Sequence, residues 1–398
     1  MALKAIIRKM IASDQLELSG SSVFLRNDQQ IIGTGSAIQI AAKGKNRVAE
    51  LAAGWKEILA TAEIDNQSGI SSAGLIALTS ITFSENSSQD SVLYVPMVTR
   101  VHRGDVGFEV IIEGAEAAPK DLQPVLGSFQ DGSFSAEAFK SAVGKSLGAF
   151  STTDLEKVVI GRDLLMSIDS RPNLAIPLKR LHERYPDCWT YAVGDVFGAS
   201  PELLLRAQNG EVSARVLAGT AGRGTDPDVD RAIAEGLANS QKNRHEHEFA
   251  VNSMVQALEP FCDFVQADSE PFSLALPDLW HLATDVKGEL RDGVTLLDAI
   301  AKLHPTAAVA GTPTQLAEAL IDELEPFDRA GYAGPVGWLS SNGDGELAIA
   351  LRGGIIEPHQ IRAIAGCGIV TESDPEAELA ETDLKFKAVR YAFAAESL

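Results

Sequence analysis

The sequence predicts a mixed α+β fold, and three observations carry that reading. Strand-like and helix-like runs are interleaved along the chain; strand runs after residue 130 are joined by short turns such as Asn209-Gly210, so neighbours run antiparallel. With 45% hydrophobic and 22% charged residues, 398 positions suffice for a large core or two closely joined sub-domains. Inserted helices between antiparallel strands exclude a doubly wound parallel sheet.

In order, the first third supplies the strand-like runs SVFLR, AIQIAA and SVLYVPMV and the helical stretch RVAELAAGWKEILATAEI, none of which gathers reactive residues. MALKAIIRKMIASDQ has basic residues but no apolar run long enough for a signal peptide or a membrane span, and reads as a short amphipathic start. From about residue 130 come helix AEAFKSAVGKSLGAF, strand LEKVVIGRDL, helix IPLKRLHERY, and strands CWTYAVGDVFG, ELLLRAQ and EVSARVLAGT.

The 55 acidic against 34 basic residues give a formal charge of −21, which argues against non-specific nucleic-acid binding and against an anionic membrane surface. An anionic substrate then needs a locally positive pocket. Cys188, Cys262 and Cys367 are widely spaced without a CxxC pattern, so neither a disulfide framework nor a structural zinc site is indicated and a cytoplasmic setting is expected.

Several polar residues stand where the pattern wants apolar ones. In LEKVVIGRDL, alternation puts Lys157, Val159 and Gly161 on one face and Val158, Ile160 and Arg162 on the other, leaving Lys157 either a buried amine or an edge lysine reaching water. Glu202 follows a Ser-Pro turn and shares a face with Leu204 and Arg206; a strand-edge glutamate is the plain alternative. In SQKNRHEHEFAVNSMVQAL, Glu246 heads a helical row through Ala250, Met254 and Ala257, whereas His245 and His247 point to different sides and do not make a zinc pair. Carboxylates alone suit magnesium better.

ESDPEAELAETDLK places Asp374 as a helix cap, Pro375 at the first position, and Glu378, Glu381 and Lys385 on one side. Ala377, Ala380, Leu384, Ala388 and Tyr391 form the apolar stripe, with Glu381 roughly 40° from its centre at about 100° per residue, while Glu376, Asp383, Lys387 and Arg390 take the wet side. The alternative is a solvated Glu381–Lys385 pair. VLAGTAGRG lacks both a GxGxxG spacing and a phosphate-loop lysine, and AGCGIV is a second glycine-rich turn.

Taken in order, KVVIGR, GASPELLL, LAGTAGRG, QKNRHEHE, LWHLATDVKGEL, LHPTAAVAGTP, ELEPFDRAGYAGPVGW, ELAIALRGG and AGCGIVTESDPEAELAETDLK resemble the chorismate-utilising enzymes over roughly residues 145–390. The resemblance implies the anthranilate synthase component I fold: two face-packed antiparallel sheets wrapped by helices, with the active site in the cleft between sub-domains. Residues 1–130 would be a divergent N-terminal portion of that fold and 131–398 the catalytic portion. By match to the family motifs, Glu246 and Glu381 resemble the direct Mg²⁺ ligands, with Glu378 near the ion's water shell. Lys385, Arg352, Gly366 and Gly368 resemble groups binding the substrate carboxylates, and Gly219, Thr220, His281, Ala308 and Val309 match cleft positions.

Lys157 is similar to the base that isochorismate and salicylate synthases use on water, where ammonia-using anthranilate synthases carry glutamine. Glu202 is similar to the general acid for the departing C4 hydroxyl. Ala218 stands where aminodeoxychorismate synthases have a nucleophilic lysine. LHPTAAVAGTP, with Ala307 in place of the usual proline, resembles the isochorismate synthase type more than the threonine-bearing salicylate synthase type. The resemblance therefore implies a magnesium-dependent isochorismate synthase acting on chorismate, with salicylate synthase as the alternative, and expects a monomer without a glutaminase subunit. A non-catalytic relative would have lost the base, acid or metal ligands, and all are in place.

Overall fold

β-Branched and apolar runs on both sides of residue 130 pair into two sheets. The computed structural model describes residues 3–10, 18, 22–114 and 122–395. Among these, one sheet has thirteen strands and the other ten, and the named strand pairs are antiparallel except Lys4–Lys9 with Glu63–Asn66. The first sheet runs from Lys157–Ser167 through Gln360–Ile369, Gly353–Glu357 and the hairpin Trp189–Val193/Val196–Ser200 to Ser22–Arg26 and further strands of the first third. The second runs from Leu279–Leu290 through Glu211–Gly222, Leu203–Gln208, Gly345–Ile349 and Pro335–Ser340 to Ile76–Ser80.

The sheets pack face to face, since Phe24, Val158 and Trp189 of the first share one buried cluster with Leu78, Leu205 and Leu347 of the second. Leu51 and Trp55 of helix Arg47–Thr61 and Ile300 of helix Leu296–Leu303 seal that cluster. On the first sheet's outer face, Val23, Leu164 and Ile361 pack against Leu178 and Leu181 of helix Ala175–Arg184 and Phe386 and Val389 of helix Pro375–Phe393. Burying a leucine or phenylalanine stabilises by about 1.5–3 kcal/mol, so these faces hold the layers together.

The cap expected at Asp374 is present, and two further serine caps accompany it. Ser135 accepts from the Ala138 N–H at the start of helix Ala136–Phe150, Ser240 caps helix Gln241–Leu258, and Asp374 accepts from the Ala377 N–H with Pro375 at the first turn.

The amphipathic start takes the form of strand Lys4–Lys9, with Ala5 and Ile7 buried and paired to Val106–Ile112; residues 1–2 and 11–15 of that segment lie outside the described residues. Two local expectations are corrected. Alternation does not separate core from solvent in Lys157–Ser167, where residues 157–164 are all buried because both faces of the sheet are covered. In helix Pro375–Phe393 the buried residues are Glu378, Thr382, Phe386, Ala388, Val389, Ala392 and Phe393, so of the expected stripe Ala388 is buried while Ala377 and Ala380 are exposed, and Asp383 pairs with Arg162 at 2.7 Å. The first two turns of that helix cover a polar cleft, so neighbours and not side-chain hydropathy decide which residues are enclosed. No helix among the described residues is long and apolar enough to cross a membrane.

Candidate active site

A cleft, open at its mouth, lies where the first sheet's strands Lys157–Ser167 and Gln360–Ile369 approach the second sheet's Glu211–Gly222 and Leu279–Leu290. Glu202, Gly219, Thr220, Glu246, His281, Ala308, Val309, Arg352, Gly366, Gly368, Glu381 and Lys385 all line it. Residues separated by up to 183 positions in sequence thus meet at one surface. Lys157 and Glu378 stand behind that lining, each reaching it through a charged neighbour.

Lys157 begins its strand and is 0% exposed. Its Nζ is 3.3 Å from Glu246 Oε1, close enough for an ion pair but off-line for a hydrogen bond, so this amine has no hydrogen-bonding partner among the described residues. Such a buried, under-satisfied amine is costly and marks a site rather than a scaffold. Gly368 makes room for it: a Cβ there would come within 2.3 Å of Glu246 Oε1 and 3.0 Å of Lys157 Cε.

Glu202 sits between strands Val196–Ser200 and Leu203–Gln208, its N–H donating to Ser200 Oγ and its carbonyl accepting from the Ile349 N–H. Burial pushes its carboxyl up to about 8, against the opposing pull of Lys157, Arg352 and Lys385. The side chain therefore keeps its proton at neutral pH.

His281 is fixed by a chain of hydrogen bonds whose direction follows from chemistry. Arg352 Nη2 can only donate, so His281 Nε2 accepts at 2.9 Å, and Nδ1–H donates to the Gly219 carbonyl at 3.3 Å with Thr220 Oγ1 at 3.2 Å. Burial first, then Arg352 and Lys385, hold this imidazole well below its usual pKa, which agrees with the neutral tautomer. Gly219 is the extra residue of a β-bulge, with φ +82°, that turns its carbonyl toward the imidazole. His247 is buried elsewhere, between the Ala218 carbonyl and Thr284 Oγ1, while His245 is exposed.

Three glutamates and three lysines interlock around one end of the cleft. Lys385 Nζ donates to Glu381 Oε1 at 2.6 Å and to the Gly366 carbonyl at 2.7 Å; Lys242 pairs with Glu378 at 2.9 Å; Lys157 faces Glu246. The Glu381–Lys385 pair is thus largely enclosed, with side chains 23% and 10% exposed. Burial, then the Glu381 charge, raises the Glu378 carboxyl above its usual value. Among the described residues no three His, Cys, Asp or Glu side chains are gathered tightly enough to hold a metal as they stand. Glu246, Glu378 and Glu381 are each held by a lysine at this end of the cleft, and carboxylate oxygens are the donor type a small hard dication takes.

Sequence reasoning passed over Lys242, and over Arg329 and Tyr332 within the quoted ELEPFDRAGYAGPVGW; both of the latter line the cleft. The Arg329–Glu325 spacing of four was a helical-pair signal, although a turn follows the helix Thr314–Leu324 and only the fold turns Arg329 inward.

A family model described as chorismate binding enzyme matches residues 110–394. The chain belongs to the chorismate-binding enzyme family. Its relatives include isochorismate synthase MenF of Bacillus subtilis (strain 168), 33% identical over 303 residues, or 73% of this chain and 64% of that protein. Isochorismate synthase DhbC of the same organism is 36% identical over 265 residues, 64% of this chain and 67% of that one. The chain thus spans about two thirds of the length of these relatives. Among solved structures, a protein described as a 2,3-dihydroxybenzoate-specific isochorismate synthase, DhbC, from Bacillus anthracis superposes with a TM-score of 0.79 at 29% identity, covering 95% of this chain and 97% of that one. Anthranilate synthase component I from Streptococcus pneumoniae shares the family fold at a TM-score of 0.73 and 20% identity, covering 96% and 94%.

Proposed function

We propose that the protein is an isochorismate synthase, converting chorismate reversibly to isochorismate with Mg²⁺. The observation that carries the reading is a fully buried lysine, Lys157, standing directly behind the cleft that the buried Glu202 lines. Exchange of a hydroxyl across a ring needs a base where water enters and an acid where hydroxide leaves.

In this reading Lys157 takes a proton from the water adding at C2, and Glu202 gives its proton to the C4 hydroxyl, which departs as water while the ring double bonds shift. Arg352 and Lys385 bind substrate carboxylates, and the neutral His281 holds the Arg352 guanidinium in place by accepting from it. Glu246 and Glu381, supported by Glu378, would hold Mg²⁺, which supplies positive charge for the substrate's ring carboxylate. Gly366 and Gly368 let backbone approach the ligand, and Gly219, Thr220, Ala308 and Val309 shape the ring's walls. The nucleophile is water, so neither ammonia nor a glutaminase partner is required; we place the enzyme as a cytoplasmic monomer.

Incubating purified protein with chorismate and Mg²⁺, and separating the products by chromatography, tests this. Isochorismate, approached from either side, is expected. Anthranilate, aminodeoxychorismate, or salicylate with pyruvate as main product would overturn it.

A further inference from the structure

The strand carrying Lys157 is fully paired along one edge with Gln360–Ile369. Its other edge meets only short pieces: Gly311–Thr312 opposite Lys157 and Val158, and Gln130–Asp131 opposite Leu164 and Leu165. Between them the Val159 N–H donates to the Ala310 carbonyl and the Asp163 carbonyl accepts from the Gly132 N–H, while an ion pair meets two further backbone groups. Arg329 Nη2 donates to the Val159 carbonyl at 2.7 Å, and the Gly161 N–H donates to Glu325 Oε1 at 2.6 Å.

The two side chains are themselves joined by two bonds, Nε to Oε2 at 2.8 Å and Nη2 to Oε1 at 2.5 Å, and both are almost wholly buried. Arg329 Nη1 donates further to the Val309 carbonyl at 2.9 Å, on the cleft wall, while Phe83 from the first third stacks on the guanidinium at 4.4 Å. Phe83 is held in turn by its N–H donating to the Ala330 carbonyl. Gly161 keeps this contact uncrowded: a Cβ there would lie 3.2 Å from Glu325 Oε1.

Burying an ion pair is a poor route to stability, because desolvation cancels much of the attraction and apolar residues of similar volume often serve as well. What this pair supplies is direction. It ties the Lys157 strand and the Ala308–Val309 wall to one rigid planar group.

We propose that Arg329 and Glu325 are a positioning pair, a side-chain substitute for a missing stretch of β-strand that sets the distance between the Lys157 amine and the substrate ring. The inference rests on the isochorismate synthase reading. The pair acts on the amine through Val159, Gly161 and Val309, and Arg329 also lines the cleft wall.

The double variant Glu325→Leu/Arg329→Met removes both charges and leaves neither orphaned, and Arg329→Lys keeps the charge without the planar fork. Both are compared with the parent by thermal unfolding, by calorimetric titration of chorismate in Mg²⁺, and by kcat. The double variant should melt near the parent and bind chorismate within about threefold of it, with kcat down about 10²-fold; Arg329→Lys should fall between the two. Parent-like kcat in either folded variant, or a loss confined to KM, would overturn the proposal. Should the double variant not fold, Arg329→Lys decides alone. A parent that makes no isochorismate would instead reject the functional reading, whatever the variants do.

Discussion

Lys157 and Glu246 face each other at 3.3 Å, and Gly368 backs onto both side chains. The pair couples the base strand to the helix Gln241–Leu258, so whatever happens to the glutamate is felt by the amine.

Gly368→Ala should therefore harm two functions with one methyl. The added carbon would sit 2.3 Å from Glu246 Oε1 and 3.0 Å from Lys157 Cε, and because the strand is paired at that residue it is these two side chains that must shift. Expected are a stability loss of about 1–3 kcal/mol and turnover down by about 10²-fold. Gly144→Ala is the control: its Cβ meets nothing within 4 Å in a helix, and it should raise stability by about 0.5–1 kcal/mol with activity unchanged. Thermal melts and turnover of the two variants check both.

Lys157→Ala and Glu202→Gln should each lose about 10²–10⁴-fold in turnover while chorismate binding survives. Comparable turnover in either variant rejects that residue's role. As the acid must be protonated, activity should fall as pH rises through about 8.

The same carboxyl makes stability depend on pH. Its folded pKa, about 8, lies above the ordinary value of 4.5, so the folded state holds the proton more tightly. That contribution is complete below about 4.5 and is lost as pH rises through about 8. Glu202→Gln should flatten the unfolding free energy across this window. An unchanged slope in denaturant melts at several pH values would refute the assignment.

Glu381→Gln should bind Mg²⁺ weakly in calorimetric titrations with chorismate present. Without metal it should stay within about 1 kcal/mol of the parent, because losing the pair to Lys385 is offset by removing a like charge beside Glu378. In the parent, Mg²⁺ should raise the melting temperature, and less so in the variant. Parent-like metal affinity in the variant rules out a ligand role.

Much was legible in the residues because it is local. Asp374 announces a helix start, Asn209-Gly210 announces a turn, and the ordered set from KVVIGR to ESDPEAELAETDLK announces the family. What covers a given face is not local. Ala377 and Ala380 looked like core and are exposed, while Glu378 and Thr382 are enclosed, because the helix's first turns lie over a cleft built from other strands. The first third looked chemically silent, yet its strands extend both sheets and its Phe83 stacks on Arg329. Sequence by itself determined the element types, the residue chemistry and the kinship of the chain. Only the tertiary structure decided which lysine answers which glutamate, that His281 is neutral under Arg352, and that an ion pair completes the Lys157 strand. Those depend on burial and on distances between segments far apart in the chain, and periodicity along one segment carries no record of either.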